Sequence, residues 1–273
     1  MNLNKDLLKK FYNNLDSRSQ ESLDEAVEKM IAVKKQNGKI VVATGSGPNI
    51  HEGVTTLIAE LMDKGIIDGV TTSSAVVGHE MAGALDKVKM CNAADLGFEE
   101  RFMPRGNVFE FTQLTADALQ QIRQEMVLDE QLLEQGNKVD GHIVLKAAGN
   151  MAYPMGLRNE TIAGEILTIC RAYGLPFEVV AGWGADHHTM IGIGAEKGLP
   201  VLVSIPQMIG SGHVGMAIGD SISICERSMR IAHMLGDADI IIESAVALTQ
   251  EIHDGPFECY TGHGIWSWWK GLQ

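Results

Sequence analysis

Leu199-Pro200-Val201-Leu202-Val203-Ser204-Ile205-Pro206-Gln207-Met208-Ile209-Gly210-Ser211-Gly212-His213 is the stretch whose reading decides the fold. Its apolar run, bracketed by Gly198-Leu199-Pro200 and Pro206, has the pattern of a strand buried on both faces. Gly210 and Gly212 permit a sharp turn with positive φ, and the residues from Gly219 to Leu235 recur with helical spacing, with Asp220 as the expected N-cap. Strand, glycine turn and helix together aim free backbone N–H groups and a helix dipole at an anion. Lys39-Ile40-Val41-Val42-Ala43-Thr44, followed by Gly45-Ser46-Gly47-Pro48-Asn49, repeats the arrangement. Two such units predict one ligand cradled between two halves.

Outward from these units, strand patterns alternate with helical ones. Gly69–Thr72 leads into Ser73-Ser74, and Gly78-His79-Glu80 opens a helix. Residues 90–111 read as irregular and as the place for a lid, and a helix is expected from about Thr115 to Glu134. Ile143–Ala147 reads as a strand running into Gly149-Asn150, Asn159 as a helix cap, Phe177–Ala181 as a strand and Asp239–Glu243 as the last one. Ahead of all this, Ser22-Leu23-Asp24-Glu25 has capping-box form, Leu23, Ala26, Val27, Met30 and Ile31 share a helical face, and Gly38 is the expected stop. The alternation predicts an α/β fold: a doubly wound, mostly parallel, Rossmann-like sheet with helices on both faces. We expect one domain over residues 1–273, with a helical preface (1–37), the doubly wound core (38–252) and a Gly/His/Trp-rich tail (253–273). Ligands are expected beyond the carboxyl ends of the strands.

The net charge of −13 argues against a nucleic-acid partner, because phosphate neutralisation needs clustered Lys and Arg. No apolar run reaches the roughly 18 residues that a membrane span needs. Cys91, Cys170, Cys225 and Cys259 show no C-x-x-C spacing and no secretory signal precedes them, so a reduced, cytoplasmic setting is expected.

Gly45-x-Gly47 lacks the third glycine of a full dinucleotide fingerprint, since Ile50 stands there, and Thr72-Ser73-Ser74 replaces the expected ribose-binding acid. A nucleotide or other anion on a variant turn, or simply a tight turn, fits this pattern. His51, His79, His187, His188 and His213 follow predicted strands, and His253 and His263 lie in the tail. Imidazoles there suit proton transfer near neutral pH. Asp186-His187-His188, with Glu243, His253, Cys259 or His263, is a candidate metal cluster, although adjacent histidines in a helix diverge by about 100°. Lys146 is either a Schiff-base amine or a snorkelling lysine. Trp266, Trp268 and Trp269, with the amphipathic preface, point to a homo-oligomer, since a monomer would expose that apolar surface.

Ile50-His51-Glu52-Gly53 through Leu57, Gly65–Gly69 and Gly78-His79-Glu80 through Leu85 resemble the LOR/SDH-type conserved domain of archaeal-type NAD-dependent ornithine cyclodeaminases. Gly198–Val203 and Gly236–Ile241 resemble that domain's second half, and the likeness spans roughly residues 39–250. It implies the NAD/FAD-binding fold also used by deoxyhypusine synthase, NAD as cofactor and an amine or amino-acid substrate. The loop Ile209–His213 departs from the family's acidic loop, so cofactor binding carries over better than substrate.

The expectation is an NAD-binding enzyme that takes a hydride transiently from an amine-bearing carbon and returns it after elimination or cyclisation. Gly45, Ser46, Gly47, Asn49, Gly149, Asn150, Gly210, Ser211 and Gly212 are expected to cradle the cofactor, with Ser73 and Ser74 near ribose. His79, His187 or His188 is the expected base, and Asp186 and Glu243 would hold the substrate ammonium. The alternatives are a metal-dependent hydrolase or lyase built on Asp186, His187 and His188, and a non-catalytic nucleotide-binding module.

Overall fold

The computed structural model describes residues 5–45, 54–81, 87–99, 101, 108–145, 155–205 and 212–243. The expectations for Ser46, Gly47, Asn49, His51, Lys146, Gly149, Asn150, Gly210, Ser211 and the tail with His253, Cys259, His263 and the tryptophans lie outside these residues. The strands are β1 (Ile40–Ala43), β2 (Gly69–Ser73), β3 (Lys87–Asn92), β4 (Val108–Gln113), β5 (His142–Leu145), β6 (Val201–Ile205) and β7 (Ile240–Glu243). The helices are α1 (Lys5–Asn14), α2 (Ser17–Lys35), α3 (Val54–Asp63), α4 (Ser74–Met81), α5 (Ala116–Glu125), α6 (Glu130–Lys138), α7 (Met155–Tyr173), α8 (Phe177–Gly182), α9 (Met190–Lys197), α10 (Gly212–Ser221) and α11 (Ile224–Gly236).

Short apolar strands need cover on both sides, and the parallel sheet, ordered β6-β2-β1-β7, has it. Ile40, Val42, Val70, Val201 and Val203 point into the larger core with Ile58 and Met62 of α3 and Ile191 and Ile193 of α9. The alternate residues Val41, Leu202 and Ile241 point the other way, onto Ile231 and Leu235 of α11. The fold is therefore α/β, with a parallel sheet flanked by helices, as the alternation predicts. Across the sheet the chain visits β2, then β6 on one side of β1, and returns to place β7 on the other. The order reverses between β1 and β7, which makes that crevice the topological switch point.

Aspartates hold the start of the sheet in register. Asp68 accepts Ile40 N–H at 2.7 Å and pairs with Lys34 of α2 at 2.8 Å, while Asp239 accepts Lys39 N–H at 2.8 Å. At the opposite flank, β6 is an edge strand, and Val203 finds its partners in side chains. Its N–H donates to Glu178 of α8 at 2.6 Å, and its carbonyl accepts from Arg227 of α11 at 3.2 Å. Glu178 and Arg227 are themselves ion-paired and buried, and Arg227 also donates to Ile218 O at 2.9 Å and Ser221 Oγ at 3.1 Å.

Several expected elements differ. Phe177–Ala181 is not a strand but α8, because Pro176 presets the helical entry and Phe177, Val180 and Ala181 bury at helical spacing. Residues 90–111 are not simply irregular: β3 pairs antiparallel with β4 and with β5, so β5 belongs to a separate sheet, ordered β4-β3-β5. The helix expected over 115–134 breaks before Asp129, whose carboxylate caps α6 through Leu132 N–H at 2.9 Å. Gly219 to Leu235 is likewise divided, Ser223 capping α11 through Glu226 N–H at 3.1 Å and leaving Asp220 inside α10. Asp16, not Ser22, caps α2, and Asn37 rather than Gly38 takes the left-handed conformation after it, at φ 58°. Gly38 is needed for another reason, since a Cβ there would sit 2.6 Å from Val33 Cγ1.

Arg227→Met tests the edge arrangement. It removes the ion-pair partner of the buried Glu178 carboxylate and leaves the Val203 carbonyl without its donor, whereas Ile218 O keeps its bond from Ser221 Oγ and Ser221 Oγ its bond from the Phe177 N–H. Denaturant unfolding should show a loss of about 3–5 kcal/mol, the effect of breaking a buried pair from one side. A loss below about 1 kcal/mol contradicts the structural role.

Candidate functional site

Polar groups gather where β2 ends. Thr71, Thr72 and Ser73 close the strand and Ser74 begins α4 with no intervening loop. The hydroxyls of Thr71, Thr72 and Ser73, and that of Thr55 in the first turn of α3, are buried and have no hydrogen-bond partner. An unsatisfied buried hydroxyl costs about 1–3 kcal/mol, so a group of them calls for an explanation in a bound polar molecule or water. Alternation sends Thr71 to one face and Thr72 to the other, with a register shift before Ser73. The carboxyl end of β2 is hydroxyl-lined where a ribose-binding acid was expected.

Neighbouring strands bring further predicted residues to this edge. Gly45 is buried just beyond β1, and Ala43 pairs with Glu243 at the end of β7, so Gly45 and Glu243 flank the switch point. On the other side of β2, β6 leads toward Gly212, which opens α10 with φ 51°, the left-handed geometry that its glycine identity suggested. Here the structure adds a competitor. The His213 N–H at the start of α10 donates to the Glu160 carboxylate of α7 at 2.9 Å, so the chain already supplies an anion to this helix N-terminus.

α4 carries the next layer. His79 is half-buried in its last turn, not at a helix start, and the Gly78 carbonyl accepts from Asn159 Nδ2 at 2.9 Å. Asn159 therefore sits inside α7 rather than capping it, and its Oδ1 is buried without a partner. Glu80 is fully buried, and its carboxylate accepts the N–H groups of Met190 and Ile191 at 3.0 Å each, capping α9 beside Thr189. Burial pushes its carboxyl up to about 7, against the opposing pull of those two amides. A single acid in an otherwise apolar helix was the available signal for this residue. Nothing in residue spacing foretold the Glu178–Arg227 pairing or the orphaned threonines.

Asp186, His187 and His188 come together with one another but follow a helix, not a strand end. His188 Nδ1 lies 3.0 Å from Asp186, which also accepts the His188 N–H at 2.7 Å. His187 Nδ1 lies 2.7 Å from Glu196. The two rings meet edge-on with centroids 5.3 Å apart, and with Thr56, Ala59, Glu60 and Asp63 they line a small cleft on one face of α3. Each imidazole is engaged with a different carboxylate. Among the described residues, no three His, Cys, Asp or Glu side chains converge as metal ligands, and no helix is long and apolar enough to cross a membrane.

A larger groove of about 740 Å³ opens between α8, α9 and α11, lined by Val41, Leu199, Val201, Arg230 and Met234. Lys39, Asp68 and Pro200 mark it as lying at the amino ends of the strands. It is mainly apolar, and none of the unpartnered hydroxyls lines it. The groove and the unpartnered hydroxyls therefore lie at opposite ends of the strands.

No family model matches the chain, and no curated protein matches it. Among solved structures, the apo form of ArgZ, an arginine dihydrolase from the ornithine-ammonia cycle in cyanobacteria, is similar to it with a TM-score of 0.44 and 14% identity. That likeness covers 87% of this chain and 25% of the other, so the chain spans about a quarter of that protein's length.

Glu80 makes a pH-dependent prediction. Its folded carboxyl keeps its proton up to about pH 7, whereas the unfolded one loses it near 4.5. Between those values the folded chain binds more protons, so this residue lowers stability as pH rises from about 4.5 to about 7. The effect is about 3 kcal/mol at most, and Glu80→Gln should remove it. Urea unfolding of both proteins on either side of this window checks it: an identical pH dependence in the two contradicts the assignment.

Proposed function

We propose that the chain is an NAD-binding enzyme acting on an amine or amino-acid substrate, with its ligand at the carboxyl edge of β2, β1 and β7. The observation that carries this reading is the pair of buried, unpartnered hydroxyls of Thr72 and Ser73 at the carboxyl end of β2, one strand away from the switch point between β1 and β7. A ribose offers hydroxyl donors and acceptors of the kind this lining lacks, and the buried Gly45 just beyond β1, having no side chain, suits the close approach of a phosphate. Glu243 brings a carboxylate to the same crevice, where it would attract a substrate ammonium. When bound, a nicotinamide would supply reversible hydride transfer; the chain's task is to orient the amine-bearing carbon and move protons.

An ammonium has no lone pair to assist hydride loss, so a base must first take its proton. His79 is the candidate favoured by its place on α4, which continues directly from Ser73. Asp186, His187 and His188 are better read as a surface cluster, because His188 is bonded to Asp186 and His187 to Glu196 of α9, beside a small cleft on α3.

Two experiments test the proposal. Thr72→Val with Ser73→Ala removes two unpartnered hydroxyls, so a purely structural role predicts unchanged or raised thermal stability and no effect on ligands. The proposal expects that same stability with NAD affinity, measured by calorimetry, weakened about ten-fold; unchanged affinity contradicts it. In a hydride-transfer assay on candidate amino acids, His79→Asn should lower turnover about 10²- to 10⁴-fold while NAD still binds. His187→Asn and His188→Asn should retain turnover, and the reverse pattern would move the base to the connection between α8 and α9.

A further inference from the structure

The N-terminal helices are long, amphipathic and without a buried residue: neither α1 nor α2 contains one. Only the end of α2 meets the core, through the partly buried Met30 and Val33. Leu8 and Phe11 share an apolar face of α1, and Leu23, Val27 and Ile31 form an apolar stripe on α2, each residue between 43% and 59% exposed. Spacings of three and four residues keep each stripe on one helical face. Side-chain contacts such as Tyr12 Oη to Asp24 at 2.7 Å and Gln20 Nε2 to Tyr12 O at 2.9 Å fix the elbow between the helices without covering either stripe.

Charge identifies what covers them. α1 carries Lys5, Lys9 and Lys10 against Asp6, a net +2. Residues 17–28 of α2 carry Arg18 against Glu21, Asp24, Glu25 and Glu28, a net −3, with Glu25 paired to Lys29 of the next turn at 2.7 Å so that Glu21 and Glu28 are the acids offered outward. One helix is basic, the other acidic over its first three turns, and both have an apolar seam. A twofold axis would set each copy's α1 against its partner's α2, so that the same complementary contact forms twice.

We propose that this helix pair is a self-docking surface, in which α1 of one copy lies on the acidic half of α2 of a second copy and both apolar stripes are buried. The occupant is a second copy of this chain rather than a different protein, because the surface is complementary to itself in charge as well as apolar. This proposal is independent of the ligand site at the sheet's carboxyl edge.

Sedimentation of the full chain at micromolar concentration tests it, with far-UV circular dichroism to confirm that variants fold. The wild type should be a dimer or an assembly of dimers, and Phe11→Glu with Val27→Glu should dissociate that contact at unchanged helicity. Lys5→Glu with Lys10→Glu, or Glu21→Lys with Glu28→Lys, should each weaken association about ten-fold or more, and the combined four-residue exchange should restore it. A monomeric wild type, an assembly indifferent to Phe11→Glu with Val27→Glu, or a charge exchange that fails to restore association overturns the proposal. A hydrophobic patch lacking a specific partner would not respond to the exchange.

Discussion

A parallel sheet has to do something with the backbone of its outermost strand, and here the answer is a buried ion pair. Val203 lies on the edge strand β6, deep in the protein, where water cannot complete its hydrogen bonds. Glu178 and Arg227 do so, one accepting from its N–H and the other donating to its carbonyl. Together they imitate the ladder that another strand would offer. Because Glu178 comes from α8 and Arg227 from α11, the same contact ties a helix of the larger core to the helix covering the other sheet face. Desolvating two charges is expensive, and the arrangement holds because nearly every donor and acceptor in it is used.

With that flank closed, the polar chemistry is left to the carboxyl ends of the strands. Side chains at the amino ends are occupied in register-keeping, Asp68 and Asp239 holding the backbone of Lys39 and Ile40. At the carboxyl end the pattern inverts, and hydroxyls are buried with nothing to bind. Helix termini are handled differently again. Glu80 and Glu160 place carboxyl oxygens on the first amides of α9 and α10, so these helix ends are already capped from within the chain.

The α/β class could be read from sequence because apolar runs and glycine turns are local signals, and β1, β2, β6 and β7 all lie where such runs occur. Phe177–Ala181 misled for a physical reason: a short apolar run suits a buried strand or a buried helix equally, and only packing around Phe177 decides. β3 and β4 were legible in principle. Lys87-Val88-Lys89-Met90 and Phe109-Glu110-Phe111-Thr112 alternate with period two, but lysines and a nearby proline turn disguised them as a loop. Gly45, Ser73 and Glu243 lie at the carboxyl ends of strands, where their sequence positions placed them. Asp186, His187 and His188 were misplaced because the preceding element was misread, which shows how far a site prediction inherits errors of secondary structure. The Glu178–Arg227 pair depends on residues distant in sequence meeting in space, and no spacing rule reports that.

The passage from Ser73 directly into Ser74 has a mechanical consequence. A loop between strand and helix would act as a hinge; its absence means that the hydroxyl-bearing end of β2 and the first turn of α4 move as one body with the sheet. A guest at this wall, as proposed above, would meet a surface whose freedom was surrendered during folding, so little further ordering would be required of it on binding. Recognition on that side would then be lock-like. Any adjustment to the shape of the guest would fall to other parts of the chain.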